Sequence, residues 1–300
     1  MIDRSARGRA VRYGVIGASL AAAASLAACG TGAPAPGPGG PTPSAGATTA
    51  HAAIPSADAR REAARRQAAL WRGWHLTPLR AAPKPPAAPA LPTGGPGDSG
   101  PIPVISQVDT KDRVVFITID DGAEKDPEFV RMLSELKVPV TMFLTDASIR
   151  TDYRYFTPLQ GLGNTVQNHT LTHPDLPTLG AAAQRAEICG QQQKLAKEYG
   201  KAPTLLRPPY GNYNAATLQA AKECGIKAVV LWKESMQITD MQYQAPDKKL
   251  RPGDVILAHF RGPSELKGHT MTQMFAALLH RIQQQGFAVG RLDDYLGTSG

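Results

Sequence analysis

The stretch VVFITIDDG, residues 114–122, decides the fold of this chain. It is a short apolar run, rich in β-branched side chains, that ends in two carboxylates and a glycine, and it predicts a strand over Val114–Asp120. A helical pattern follows at Asp126–Leu136 and a second apolar run at Val138–Leu144. A strand, a helix and another strand in this order indicate parallel strands with the helix packed outside the sheet.

The same alternation continues along the rest of the chain. Further strands are predicted at Thr165–Asn168, Thr204–Arg207, Ala228–Trp232, Asp254–His259 and Phe287–Leu292, and further helices at Tyr153–Leu162, Leu179–Tyr199, Ala215–Cys224 and Thr270–Gln285. About seven parallel strands in roughly 190 residues predict an α/β fold, a distorted and incomplete (β/α) barrel with outer helices.

The excess of basic over acidic side chains lies almost entirely in the amino-terminal third of the chain. The 300 residues carry 33 Lys and Arg against 25 Asp and Glu, a net charge of +8. Residues 1–100 hold 11 basic and 4 acidic side chains, whereas residues 101–300 hold 22 and 21. A nearly neutral domain offers no extended basic face, so the composition argues against a nucleic-acid partner. The apolar fraction of 42% is enough for a buried core.

The first 28 residues predict a secretory signal peptide. An apolar stretch over Val15–Ala28 follows a basic region that contains Arg4, Arg7, Arg9 and Arg12. Residues 26–29, Leu-Ala-Ala-Cys, resemble the bacterial lipobox, in which the cysteine is lipidated. We therefore expect export and an anchor to the outer face of the cell membrane through Cys29. The alternative is an ordinary signal peptide with an accidental cysteine.

Residues 29–107 predict a tether rich in Pro, Gly and Ala that leads to the folded domain. A short helix is expected near residues 56–72, with Ser56 as its cap. This helix docks either on the domain or on lipid headgroups. The domain itself is expected over residues 108–297, and no run of 18 or more apolar residues follows residue 30.

Polar side chains follow several of the predicted strands at the point where each strand ends. The carboxyl ends of parallel strands meet at one rim of a barrel, so we expect these side chains to lie close together. They are Asp120, Asp121, His169, His173, Arg207 and His259.

The Asp-Asp-Gly sequence at residues 120–122 and the pair His169 and His173 together would make a metal site. His169 and His173 are four residues apart, and one helical turn or tight loop places both imidazoles on one side. With Asp121 they form a set of two histidines and one carboxylate, which suits one divalent ion, zinc first and cobalt, nickel or iron also. Taken singly, Asp-Asp-Gly is more often a solvated turn, and a His pair at this spacing is more often no ligand pair.

Four motifs in order, TIDDG, NHTLTHPDL, RPPYG and LAHF, resemble those of the polysaccharide deacetylases, carbohydrate esterase family 4, also called NodB-homology domains. The resemblance covers about residues 108–296. It implies a distorted (β/α) barrel and a metal-dependent hydrolase that removes N-acetyl groups from a glycan such as chitin or peptidoglycan. An O-acetyl esterase and a non-catalytic glycan-binding lipoprotein on the same scaffold remain alternatives. The expected partners are an acetylated glycan and the membrane, and the expected state is a monomer.

The resemblance also implies a role for each motif residue. Asp121 would bind the metal with His169 and His173, and Asp120 would be the general base. The other assignments are Arg207 as the group that orients Asp120, His259 as the general acid, the backbone N–H of Tyr210 as an oxyanion donor, and Leu257 and Trp232, with Tyr210, as substrate-binding residues.

The chain departs from the family pattern in two places. The family's Asp-Trp pair after the strand Ala228–Trp232 is missing, so Glu234 or Asp240 would have to take over the tuning of His259. The acidic residue that usually precedes the Asn-His motif is also missing from residues 163–167.

The two cysteines of the domain are candidates for a disulfide. Cys189 lies within one predicted helix and Cys224 closes the next, and consecutive helices of a (β/α) barrel are packed neighbours. An even pair in an exported protein favours a bridge. The alternative is a pair of buried free thiols.

Overall fold

The computed structural model describes residues 56–87, 91 and 100–298. The expected signal peptide over residues 1–28, the lipidation site Cys29 and the first part of the tether lie outside the described residues. Among the helices that are described, none combines the length and the apolar character that a membrane span requires.

The described residues form one curled sheet with helices outside it. Its ten strands are β1 (Val104–Ile105), β2 (Val114–Asp121), β3 (Thr141–Leu144), β4 (Thr165–Asn168), β5 (Leu205–Leu206), β6 (Ala228–Val230), β7 (Glu234–Met236), β8 (Met241–Tyr243), β9 (Val255–His259) and β10 (Ala288–Val289). Their order is β1-β6-β5-β4-β3-β2-β9-β7-β8, and β10 pairs with β2. All pairs are parallel except β7 with β8. The predicted incomplete (β/α) barrel is therefore confirmed.

The helices follow the predicted alternation. They are α1 (Ala57–Gly73), α2 (Pro127–Leu136), α3 (Asp146–Ile149), α4 (Phe156–Gly161), α5 (Ala181–Tyr199), α6 (Ala215–Glu223), α7 (Met271–Gln284) and α8 (Leu292–Leu296). Local signals set their ends: Asp126 accepts a hydrogen bond at the start of α2, and Gly200 ends α5 in the left-handed conformation.

The number of strands and the end of the chain differ from prediction. Three strands were not predicted, β1, β7 and β8. Each has only two or three residues, too few to show the alternation of a strand in the sequence. The predicted final strand over Phe287–Leu292 is a two-residue strand, and Leu292 begins α8 instead.

The central strand β2 is buried on both faces because two layers pack against it. Val114 and Phe116 point into the barrel interior with residues of β5, β6 and β9. Val115 and Ile117 belong to the outer layer, with residues of α2 and α7. Residues two apart share one face, so Asp120 continues the interior row and reaches the open end of the barrel.

Helix α1 docks on the outside of α2. Trp71 is buried, and the Trp74 Nε1 donates to Glu135 Oε2 at 2.6 Å. The Gln67 side chain donates to the Glu135 carbonyl at 2.8 Å. The two expected docking surfaces for this helix were the folded domain and lipid headgroups, and in the structure it packs on the folded domain. The packing of α1 and of β1 extends the folded unit upstream of Val108, where the sequence pattern placed its start.

A disulfide joins Cys189 of α5 to Cys224, which follows α6 directly, with Cα atoms 5.0 Å apart. The predicted pairing is present in the structure. It ties together two neighbouring helices on the outside of the barrel.

Replacing both bridge cysteines, in Cys189→Ser/Cys224→Ser, will lower stability without changing the site. The bridge closes a loop with a sequence separation of 35 residues. The chain-entropy model gives such a loop roughly 4 kcal/mol. Denaturant unfolding checks the loss, and thiol titration of unreduced, denatured protein carrying Cys29→Ser should find near zero thiols. Two free thiols would contradict the bridge.

Candidate active site and metal centre

The carboxyl ends of β2, β4, β5 and β9 converge on one cavity of about 440 Å³. The strand register brings these ends together. Asp120 lies directly beside His259. Asn168 lies beside Leu206, so the residues that follow them, His169 and Arg207, are also neighbours. The predicted residues that line the cavity are Asp120, Asp121, His169, His173, Tyr210, Trp232, Leu257 and His259. Arg207 lies behind them, fully buried.

A strained turn at the end of β2 separates the two aspartates. Asp121 has φ 72° and Gly122 has φ 84°, so two successive residues are left-handed. A Cβ on Gly122 would come within 2.5 Å of the Ile149 side chain, so glycine is required there for space as well as for conformation. The turn leaves Asp120 inside the barrel and brings Asp121 toward the histidines.

Three side chains form a compact ligand set. The Asp121 Oδ1 lies 3.4 Å from the Nε2 of His169 and 3.4 Å from the Nε2 of His173. One ligand atom from each residue falls within 4.8 Å of the others. The His pair lies in a tight loop, where Thr170 and His173 are both left-handed and Thr170 Oγ1 accepts the His173 N–H.

The protonation states of this set suit a metal. The His169 Nδ1 lies 2.7 Å from the Arg207 carbonyl oxygen, which can only accept, so the proton sits on Nδ1 and Nε2 is left as the ligand atom. Burial alone would raise the pKa of Asp121, but its contact with His169 and the charges of the other two histidines lower it to about 2. An ionised carboxylate and two imidazole nitrogens are a donor set that fits a divalent ion of the zinc class.

Asp120 is held by a buried guanidinium. Arg207 Nη1 donates to Asp120 Oδ1 at 2.8 Å and to Thr118 Oγ1 at 2.6 Å. Its Nε and Nη2 donate to the carbonyl oxygens of Val230 and Leu231. The second carboxylate oxygen, Oδ2, lies 3.7 Å from the His169 Nε2. One oxygen is thus fixed from behind while the other points toward the ligand set.

His259 has no carboxylate partner in the described part of the chain. Its Nδ1 is buried and lacks a hydrogen-bond partner, and burial lowers the pKa of the ring. Neither substitute for the missing Asp-Trp pair is in place. Asp240 pairs with Arg281 at 2.9 Å, and Glu234 is buried beside Asp254, where burial and that second carboxyl raise its pKa to about 8.

One wall of the cavity was not predicted. Ser235, Gln237 and Gln242, from the β7–β8 hairpin, line it together with Pro208 and Arg261. The hairpin strands have three residues each, which is too short for an alternation of apolar and polar residues to show in the sequence. Arg261 follows the LAHF motif directly, and this position next to His259 is the sequence feature that could have marked it as a site residue.

The chain is similar to known proteins in sequence and in fold. Residues 107–229 match the family model described as polysaccharide deacetylase. An uncharacterised protein of Streptomyces coelicolor is 44% identical over 195 residues, which are 65% of this chain and 77% of that protein. The peptidoglycan-N-acetylmuramic acid deacetylase of Bacillus subtilis is 26% identical over 199 residues, 62% of this chain and 73% of that enzyme.

Solved structures share the fold. A carbohydrate esterase family 4 pseudoenzyme of Bacillus anthracis superimposes with a TM-score of 0.56 at 20% identity, over 67% of this chain and 71% of that one. A family 4 carbohydrate esterase of the same species gives 0.53 at 24% identity, over 65% and 87%. The match to the family model, the relatives in sequence and this shared fold agree, and the chain belongs to the polysaccharide deacetylase family.

Proposed function

We propose that the protein is a metal-dependent deacetylase that hydrolyses N-acetyl groups of an envelope or extracellular glycan, peptidoglycan or chitin-like. The observation that carries this proposal is the joint presence, in one cavity, of the ligand set Asp121, His169 and His173 and of the two proton-transfer groups Asp120 and His259. Relatives named as peptidoglycan and chitooligosaccharide deacetylases support the substrate class.

The metal is zinc in this proposal, although cobalt, nickel or iron would accept the same ligands. A divalent ion held by the three residues would polarise the acetyl carbonyl and lower the pKa of a water molecule. The histidine tautomer fixed by the Arg207 carbonyl and the ionised Asp121 prepare the ligands for this ion.

Asp120 and His259 move the protons. Asp120, held in place by Arg207 at 2.8 Å, accepts a proton from the attacking water. His259 lies beside Asp120 in the strand register and donates a proton to the leaving amine nitrogen. Arg207 is fully buried, and its guanidinium donates to Asp120, to Thr118 and to two backbone carbonyl groups. It therefore keeps the base oriented without touching the substrate.

The remaining cavity residues position the acetyl group and the sugar. Leu257 faces the same cavity as His259 and receives the acetyl methyl group. The backbone N–H of Tyr210 stabilises the oxyanion, and its ring, 64% exposed, lies edge-on to His173 at 4.9 Å. Tyr210 and Trp232 give the sugar two apolar surfaces at the cavity mouth.

The place of action follows from the amino-terminal sequence. We propose that the protein is exported, lipidated at Cys29 and held at the outer face of the cell membrane, where envelope glycans are within reach. It acts there as a monomer on an acetylated glycan.

Acetate release will test the activity. Purified protein is expected to release acetate from N-acetylated glycan, to lose this activity after chelation and to regain it when zinc is added back. Acetylated xylan is the parallel substrate for O-acetyl hydrolysis. Release from xylan alone would identify an O-acetyl esterase, and metal-loaded protein that releases nothing from any glycan would be a binding relative.

The substitution His173→Ala is expected to reduce the metal content sharply, because it removes one of three protein ligands. The measurement is metal stoichiometry after dialysis against a fixed free zinc concentration. His280→Ala, on the exposed face of α7, is the matched control and should keep the full content. A His173→Ala protein with unchanged stoichiometry would show that the ligand assignment is wrong.

The substitutions Asp120→Asn and His259→Ala are expected to leave metal binding in place and to lower turnover by roughly 10²–10⁴-fold, the usual loss for a general acid or base. Metal stoichiometry and kcat are measured on the same preparations, with thermal unfolding to show that each variant is folded. Turnover like that of the wild type in either variant would refute the role assigned to that residue.

A further inference from the structure

Arg261 is a positive side chain at the cavity, and its backbone is held by the residue before it. Phe260, the residue before it, is fully buried, donates its N–H to the Asp120 carbonyl at 3.1 Å and packs edge-on against Phe129 and Phe156. The backbone that carries Arg261 is therefore anchored between His259, which lines the site, and the aromatic core. Its side chain is one-third exposed and lines the cavity.

The other charges of the cavity are already engaged with one another. Asp120 pairs with Arg207 at 2.8 Å, and Asp121 contacts two histidines at 3.4 Å each. Among the described residues that line the cavity, Arg261 is the sole Arg or Lys, and the hairpin wall of Ser235, Gln237 and Gln242 is uncharged.

The ion pair that Arg261 makes within the protein is weak. Its Nε lies 3.7 Å from Glu265 Oε1, and the Glu265 side chain is 53% exposed, so solvent screens the pair. Nε is the nearest guanidinium nitrogen to Glu265, and the guanidinium donates no hydrogen bond within the described part of the chain. Its planar, forked donors match a carboxylate in two parallel hydrogen bonds.

We propose that Arg261 selects an acetylated sugar that carries a carboxylate beside the reacting acetamido group, such as an O-3 lactyl ether, over a neutral glycan. The proposal rests on the proposed function and names its substrate class. Arg261 lines the same cavity as His259, the group assigned to protonate the leaving nitrogen, and this shared cavity favours a carboxylate on the same sugar as that nitrogen. A carboxylate on a neighbouring uronic acid is the other source of the same chemistry.

The experiment compares substrates that differ only in charge. Peptide-free strands of alternating N-acetylglucosamine and N-acetylmuramic acid are used with the lactyl carboxylates free and after their conversion to methyl esters. An N-acetylglucosamine oligomer is the neutral reference, and an oligomer of alternating N-acetylglucosamine and glucuronic acid tests the second source. Wild-type protein should show a kcat/KM about tenfold higher for the free acid than for the ester, which corresponds to about 1.4 kcal/mol.

Substitutions at Arg261 and at Glu265 should move this ratio in opposite directions. Arg261→Gln should bring the kcat/KM for the free acid down to that for the ester, mainly through KM, and Arg261→Lys should retain part of the preference. Glu265→Gln should increase the preference, because it removes the competing carboxylate. Equal rates on acid and ester in the wild type, or the same loss on all substrates in Arg261→Gln, would overturn the proposal, as would an Arg261-dependent gain on the glucuronic acid oligomer alone.

Binding separates this proposal from the proposed function. Calorimetric titration of the acid and ester strands into wild-type protein and into Arg261→Gln needs no turnover. If no substrate releases acetate but the acid still binds more tightly in an Arg261-dependent way, the proposed reaction fails and the recognition of the carboxylate stands. If acetate is released and neither titration nor kinetics distinguishes the two strands, the recognition fails and the reaction stands.

Discussion

The ion pair between Arg207 and Asp120 is the interaction on which the rest of the site depends. The guanidinium is fully buried and connects β2, through Asp120 and Thr118, with the carbonyl groups of Val230 and Leu231 at the end of β6. Removing one partner of such a pair typically costs about 3–5 kcal/mol because a buried charge loses its counterion. The same bonds that position the Asp120 carboxylate therefore also hold the open end of the barrel together.

Four residues at the site have a strained backbone. Asp121, Thr170, His173 and Tyr210 are left-handed although none is glycine, and the other described non-glycine residues with a positive φ, which are His75, Lys137, Lys248 and Lys267, lie elsewhere. Each such residue costs about 1–3 kcal/mol and persists only where its surroundings fix it. The strands below these residues provide that support, and the strained turns direct a carboxylate and two imidazoles to one point.

The sequence predicts the strand ends better than the wall between them. The run Val114–Asp120 shows its burial in its composition, and parallel strands bring Asp120, His169, Arg207 and His259 together whatever the exact strand lengths. The local sequence gives no sign of the β7–β8 hairpin, because β7 is positioned by its pairing with β9 and not by a residue pattern of its own. Arg261 follows the LAHF motif directly, but the sequence does not show which nearby charges are already paired, and only its three-dimensional neighbours reveal this.

The docking of α1 gives the molecule a polarity. Its indole and amide contacts are with Glu135 in the last turn of α2, and the Gln283 side chain, in the last turn of α7, donates to the carbonyl of Thr77. Both helices end where the next strand begins, so α1 and the residues after it dock at the amino-terminal ends of the strands, opposite the cavity. A force applied to α1 would therefore act first on the packing of Trp71 and Trp74, at the end of the barrel opposite the cavity.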